Sequence, residues 1–174
     1  ILVVVDMQND FIDGSLGTEE ARNIVEPVCE KIIEFGGQIF VTQDTHSDNY
    51  LETLEGRHLP VEHCIANTEG WLINSFIRNA LKSKNYAFIE KEIFGSMKLV
   101  DQIAKILDKG VKGSIEIVGL CSDICVVSNA LMLRSAFPNT EITVDASCCA
   151  GVTPEKHQAA MEVMKSCQIN VIGE

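Results

Sequence analysis

Ile1-Leu2-Val3-Val4-Val5-Asp6 opens the chain, an apolar run that stops at a carboxylate. With no polar alternation, the run reads as a strand buried on both faces, the pattern of a parallel sheet covered by helices. Similar short runs follow at residues 38–42, 86–90, 114–118, 141–144 and 170–172. Between them the apolar residues change to helical spacing. Residues 19–35 place Ile24, Val28, Ile32 and Phe35 on one stripe, and residues 96–107 do the same with Leu99, Ile103 and Leu107. Residues 123–136 and 154–166 read as two more helices. Pro154 suits a first helical turn behind Thr153 as cap, and Gly36-Gly37 and Gly110 stand where helices should stop. Strand and helix in alternation predict an α/β fold around a mostly parallel sheet. The long interruption is 43–84, with a short helix near 71–81. Long connections in compact domains are frequently functional.

The totals agree with one domain over residues 1–174: 46% of residues are hydrophobic and 22% charged, with no repeat, linker or low-complexity segment. A formal net charge of -11 argues against nucleic acid as a partner, because such a surface repels phosphates. The cysteines number seven, an odd count without CxxC pairs, which predicts reduced thiols in a cytoplasmic protein rather than a disulfide scaffold. No apolar run approaches the roughly 20 residues that span a bilayer, so no membrane partner is expected. The first run carries no basic leader, and the missing initiator Met leaves open whether a residue or two precede Ile1.

Ligands of open α/β sheets bind outside the carboxyl ends of the strands. That rule selects Asp6, Asp44, Lys91 and the turn 120–125, each just past a predicted strand. Cys125 should lie in the first turn of its helix, where backbone N–H groups and the helix dipole favour a thiolate and could stabilise an oxyanion. Asp6 would supply a base and Lys91 a cation. Taken singly, Cys125 reads as a core cysteine, Asp6 as a cap and Lys91 as a surface lysine; their shared placement at strand ends favours chemistry. Asp44-Thr45-His46 presents a carboxylate and an imidazole on one face, and His63 follows in the long connection. One carboxylate with two imidazoles suits Zn, Fe or Mn, against a plain reading as turn and surface residues. His58 is assigned a structural or pocket role, and His157 an exposed or capping one. Cys64, Cys148 and Cys149 read as packing. No G-x-G-x-x-G follows Val5, which sets aside a dinucleotide-binding oxidoreductase.

Several motifs, in order along nearly the whole chain, resemble those of isochorismatase-like cysteine hydrolases. Val5-Asp6-Met7-Gln8-Asn9-Asp10-Phe11 resembles their V-D-x-Q-N-D-F opening, and Lys91-Glu92-Ile93-Phe94-Gly95-Ser96-Met97 their K-x-x-Y/F-S-A/G-F segment. Gly119-Leu120-Cys121-Ser122-Asp123-Ile124-Cys125-Val126 is similar to their G-x-x-T-D-x-C-V nucleophile turn, and Asp145-Ala146 to the D-A after the next strand. The resemblance implies a three-layer α/β/α fold, its six parallel strands in the order 3-2-1-4-5-6. It also implies a catalytic triad of Asp6, Lys91 and Cys125, a cis peptide at Leu120–Cys121, and an oxyanion hole from the backbone N–H groups of Cys121 and Cys125. Ser122 stands where the family often has Thr, and Met97 in place of Phe predicts an altered pocket wall.

Gln43-Asp44-Thr45-His46, and Pro60 to Cys64 followed by Asn67-Thr68-Glu69-Gly70, resemble the metal motifs of the nicotinamidase branch. On that resemblance Asp44, His46 and His63 would hold a divalent metal, with Zn first and Fe or Mn also suited. Phe11 would contact the substrate ring. The aromatic residue that nicotinamidases often carry before the Pro-containing run is missing: Arg57, His58 and Leu59 stand there, Trp71 comes later, and Glu62 adds negative charge beside His63. The leading expectation is a metal-containing amidase acting on a small carboxamide, nicotinamide first, and assembling as a homo-oligomer. The alternatives are a ureido or carbamoyl amidase or isochorismatase-type hydrolase of the same family, and a non-catalytic small-molecule-binding protein.

Overall fold

The computed structural model describes residues 1–107 and 113–174. The helix stop expected at Gly110 lies outside the described residues. The strands are β1 (Leu2–Val5), β2 (Ile39–Asp44), β3 (Tyr86–Lys91), β4 (Ile115–Leu120), β5 (Ile142–Ala150) and β6 (Asn170–Ile172). They form one six-stranded sheet in the order β3-β2-β1-β4-β5-β6, and every pairing is parallel. The helices are α1 (Asn9–Ile12), α2 (Glu19–Asn23), α3 (Val25–Glu34), α4 (Leu54–His58), α5 (Ser75–Leu81), α6 (Met97–Leu107), α7 (Val127–Ala136) and α8 (Pro154–Ser166).

β1 runs through the middle, and its alternating side chains feed two cores. Val3 and Val5 pack with Leu99, Ile103, Leu133 and Met161 from α6, α7 and α8. Leu2 and Val4 pack with Val28, Ile32, Ile77 and Leu81 from α3 and α5. An unbroken apolar run is what two covered faces require, which makes the sheet the middle of three layers. No helix among the described residues is long and apolar enough to cross a membrane.

The structure departs from the sequence expectations at four places. The helix expected over 19–35 is two helices: Pro27 has no N–H to offer the carbonyl of Asn23, so the ladder breaks around Ile24. The helix expected over 123–136 begins with a π-helical turn, Ser122–Val126, in which the Cys121 carbonyl accepts from Ile124 and Val126 at 3.1 and 3.0 Å. β5 continues past residue 144 to Ala150, because an irregularity between Ile117 and Gly119 of β4 absorbs extra residues and restores pairing at Gly119↔Cys149. Asp145-Ala146 therefore lies inside the strand rather than after it. Within 43–84, α5 begins after Trp71, at the Asn74 cap, while α4 and a 3-10 turn at Tyr50–Glu52 carried no strong periodic signal.

Candidate active site

Asp6 follows directly on β1, in the left-handed region at φ 48°, which a short polar side chain tolerates better than most. Its N–H donates to the Thr42 carbonyl and hydroxyl at 3.3 and 3.2 Å, and Thr42 Oγ1 donates back to Asp6 Oδ1 at 2.6 Å. The other carboxylate oxygen lies 2.7 Å from Lys91 Nζ as an ion pair, although no well-aligned hydrogen bond reaches it among the described residues. Lys91 ends β3, two strands away across the sheet, and its ammonium also meets Asp44 Oδ1 at 3.1 Å and Cys125 Sγ at 3.5 Å. Cys125 sits in the π-helical turn after β4, and its sulfur shares the Lys91 ammonium with the Asp6 carboxylate. The peptide Leu120–Cys121 is cis, as the family resemblance implied. Asn129 of α7 fixes the turn, its amide donating to the carbonyls of Cys125 and Phe94 at 2.8 and 3.0 Å.

Burial, then the Asp6 carboxylate, pushes the Cys125 thiol well above its ordinary value against the pull of Lys91, so these surroundings favour the thiol over the thiolate. Burial also raises the Asp6 carboxyl; Lys91 opposes that shift and Asp44 adds to it. Burial alone would lower Lys91, but Asp6 and, after it, Asp44 outweigh it and keep the amine charged.

Asp44, His46 and His63 converge as the sequence predicted, and Glu55 of α4 joins them; one ligand atom from each lies within 4.8 Å of the others. His46 Nε2 is 3.1 Å from Asp44 Oδ2, and His63 Nε2 is 3.8 Å from both Asp44 Oδ2 and Glu55 Oε1. His63 Nδ1 donates to the Val61 carbonyl at 2.8 Å, which leaves Nε2 with its lone pair toward the cluster. Two imidazoles and two carboxylates at this separation, with one tautomer already set, fit a divalent ion. Glu55 had no distinguishing mark among the acids of the long connection; only folding brings it here.

A cavity of about 250 Å³ joins the two groups of residues. Cys125, Asp44, Glu55 and His63 line it together with Phe11, Leu59, Phe94 and Ile124. Phe11 lines this cavity, its ring centroid 5.5 Å from that of His63. Phe94 was missed, although it stood in the quoted segment after Lys91. Met97 is 65% exposed and lies outside the cavity, so it does not alter that wall. His58 and Glu62 are exposed and belong to neither the cavity nor the donor cluster. Trp71 braces the loop instead, its indole N–H donating to Thr45 Oγ1 at 2.9 Å. His157 is half-buried and meets Ser122 Oγ at 3.0 Å, neither exposed nor capping. All seven cysteines are free.

Residues 1–173 match the family model for the isochorismatase domain. A nicotinamidase of Saccharomyces cerevisiae is 24% identical, with 99% of this chain and 99% of that protein covered. The solved structure of a pyrazinamidase of Pyrococcus horikoshii in complex with zinc is similar at a TM-score of 0.82 and 29% identity, covering 99% of this chain and 98% of that one. A nicotinamidase/pyrazinamidase of Bacillus subtilis gives a TM-score of 0.84 at 25% identity, covering 98% and 97%. With a family match over nearly its whole length and these likenesses in sequence and fold, the chain belongs to the isochorismatase family, on its nicotinamidase-like branch.

Proposed function

We propose that this protein is a metal-containing cysteine amidohydrolase that hydrolyses a small carboxamide, nicotinamide to nicotinate and ammonia being the leading candidate. The observation that carries the reading is the single Lys91 ammonium within reach of Asp6, Asp44 and Cys125, at 2.7, 3.1 and 3.5 Å. One cation thus ties a base and a nucleophile to the metal-ligand cluster. The match to nicotinamidases supports the substrate class.

Asp6 takes the Cys125 proton as the sulfur attacks the amide carbonyl, so no free thiolate need accumulate in the buried site. The backbone N–H groups of Cys121 and Cys125 are assigned to the developing oxyanion. Asp6 returns the proton to the leaving nitrogen, the C–N bond breaks and ammonia departs. Water then cleaves the acyl-thioester, releasing the carboxylate and restoring the thiol, with Lys91 holding Asp6 and Cys125 against their own negative charge. Asp44, His46, Glu55 and His63 would hold the metal, for which we assign Zn, with Fe or Mn suited to the same donors. When bound, such an ion supplies an anchor for the ring nitrogen of the substrate and for nearby water. Phe11 and Phe94 line the space for the ring.

One observation favours a second reading. The aliphatic Leu59 lines the cavity, where nicotinamidases commonly offer an aromatic face, and that wall suits a ureido or carbamoyl amide of the same size. Ammonia release from nicotinamide and from a panel of small amides and ureido compounds distinguishes the two, with Cys125→Ala protein in parallel. Release from nicotinamide that disappears in Cys125→Ala is expected. Cys125-dependent release only from another amide would replace the substrate and keep the chemistry, while no Cys125-dependent release would remove the amidase reading.

A further inference from the structure

We infer that Asp10 is a positioning residue for the metal-binding histidines and acts through the Cys64 peptide; the inference rests on the metal reading above. Cys64 is fully buried and left-handed, φ 47°, a conformation that a cysteine holds only when its surroundings impose it. Its N–H donates to Asp10 Oδ2 at 2.7 Å, and its carbonyl accepts from the His46 N–H at 2.9 Å. His63 is the preceding residue, so the turn that Asp10 holds carries one imidazole directly and aligns the other through a backbone hydrogen bond. Ala66 N–H donates to the His46 carbonyl at 2.8 Å and closes the pairing of the two segments.

The space for this carboxylate is built. The Asp10 N–H donates to the Gly70 carbonyl at 3.0 Å, and a Cβ on Gly70 would fall 2.1 Å from Asp10 Oδ2. Only a glycine leaves that volume to the carboxylate. Asp10 touches none of the four metal donors itself, so its effect should appear in metal affinity and coordination geometry. Groups that orient metal ligands from behind typically contribute 10–100-fold to affinity.

The test titrates metal-free protein with Co(II), read by its visible absorption, and with Zn(II) by competition, while the rate of Cys125 alkylation in the same metal-free samples reports an intact fold. Asp10→Ala should bind about 10–100-fold more weakly with an altered Co(II) spectrum. Asp10→Asn, which keeps an oxygen acceptor for the Cys64 N–H, should recover most of the loss. Gly70→Ala should reproduce the weakening from the other side, and the double variant Asp10→Ala/Gly70→Ala should be little worse than either single one. Should Asp10→Ala fail to fold, Asp10→Asn and Gly70→Ala decide the matter. Wild-type affinity and spectrum in Gly70→Ala or Asp10→Ala, or an Asp10→Asn no better than alanine, would overturn the inference while leaving the metal reading in place. Wild-type protein that binds neither ion would remove the metal reading, and this inference with it.

Discussion

A thiol pushed up by burial needs a base before it can attack a carbonyl, and on the proposed mechanism that base is Asp6, whose carboxylate shares the Lys91 ammonium with Cys125. Cys125→Ala, which removes the proposed nucleophile, should abolish turnover. Asp6→Asn keeps the shape but loses the base and should lower kcat by about 10²–10⁴, the usual range for general acid–base catalysis. The sign of the pH dependence follows from burial. The Asp6 carboxyl is raised above its ordinary value, so it becomes ionised, and able to accept the proton, only above that elevated value. The acid limb of kcat/KM should therefore lie above the ordinary carboxylate range, and a limb inside that range would assign the base elsewhere. Lys91→Met should remove activity and destabilise the fold by about 3–5 kcal/mol, because it leaves buried carboxylates without their counterion. Urea unfolding would measure that cost. At this scale the convergence of Asp6, Lys91 and Cys125 was legible from strand ends and motifs. Glu55 was not, since one acid in a long irregular segment acquires its meaning only when α4 folds back.

At the scale of elements, α3 is tied to two strands by one amine. Lys31 Nζ lies 2.6 Å from Glu116 of β4 and 2.7 Å from Asp145 of β5. Burial would raise Asp145, but Lys31 and Ser147 outweigh it and hold the carboxyl below its ordinary value. A depressed carboxylate contributes stability above its unfolded pKa and loses it as pH falls through the folded one. Lys31→Met should therefore cost about 1–3 kcal/mol near neutral pH and less in strong acid, as measured by urea unfolding at both. An equal loss at both pH values would mean that packing of the lysine stem, not the ion pairs, is what matters. Gly119 carries a second prediction. It has φ 118°, and a Cβ there would stand 2.2 Å from the Val5 carbonyl, so Gly119→Ala should reduce the thermal midpoint sharply, by about 3 kcal/mol or more of stability. All six strands were readable from the sequence because apolar runs between helices leave few alternatives. The length of β5 was not, since the irregularity that prolongs it depends on its pairing with β4. The break at Ile24 was written in Pro27, but the apolar stripe of residues 19–35 outweighed it.

For the whole molecule, strand order determines what meets what. With β1 central and β2 and β4 beside it, strand ends distant in sequence converge on one cavity, and the long connection folds over to add Glu55 and His63. The doubly covered sheet was legible in composition and periodicity, and its order came from the family resemblance. The course of the long connection came from neither, because its short helices have too few turns for a periodic signal. If the cluster holds a metal in the working protein, chelation should abolish nicotinamide turnover and lower the thermal midpoint, and Zn should restore both, since a ligand that binds only the folded state stabilises it. The central claim is the covalent one, and its most direct test is acid quench of the protein during turnover of nicotinamide, followed by mass spectrometry of the Cys125 peptide. The account predicts a nicotinoyl thioester on Cys125 that is absent from Cys125→Ala and accumulates when the attacking water is slowed. Turnover with the acyl group on another residue, or an acyl group transferred to a trapping amine without ever residing on Cys125, would contradict it.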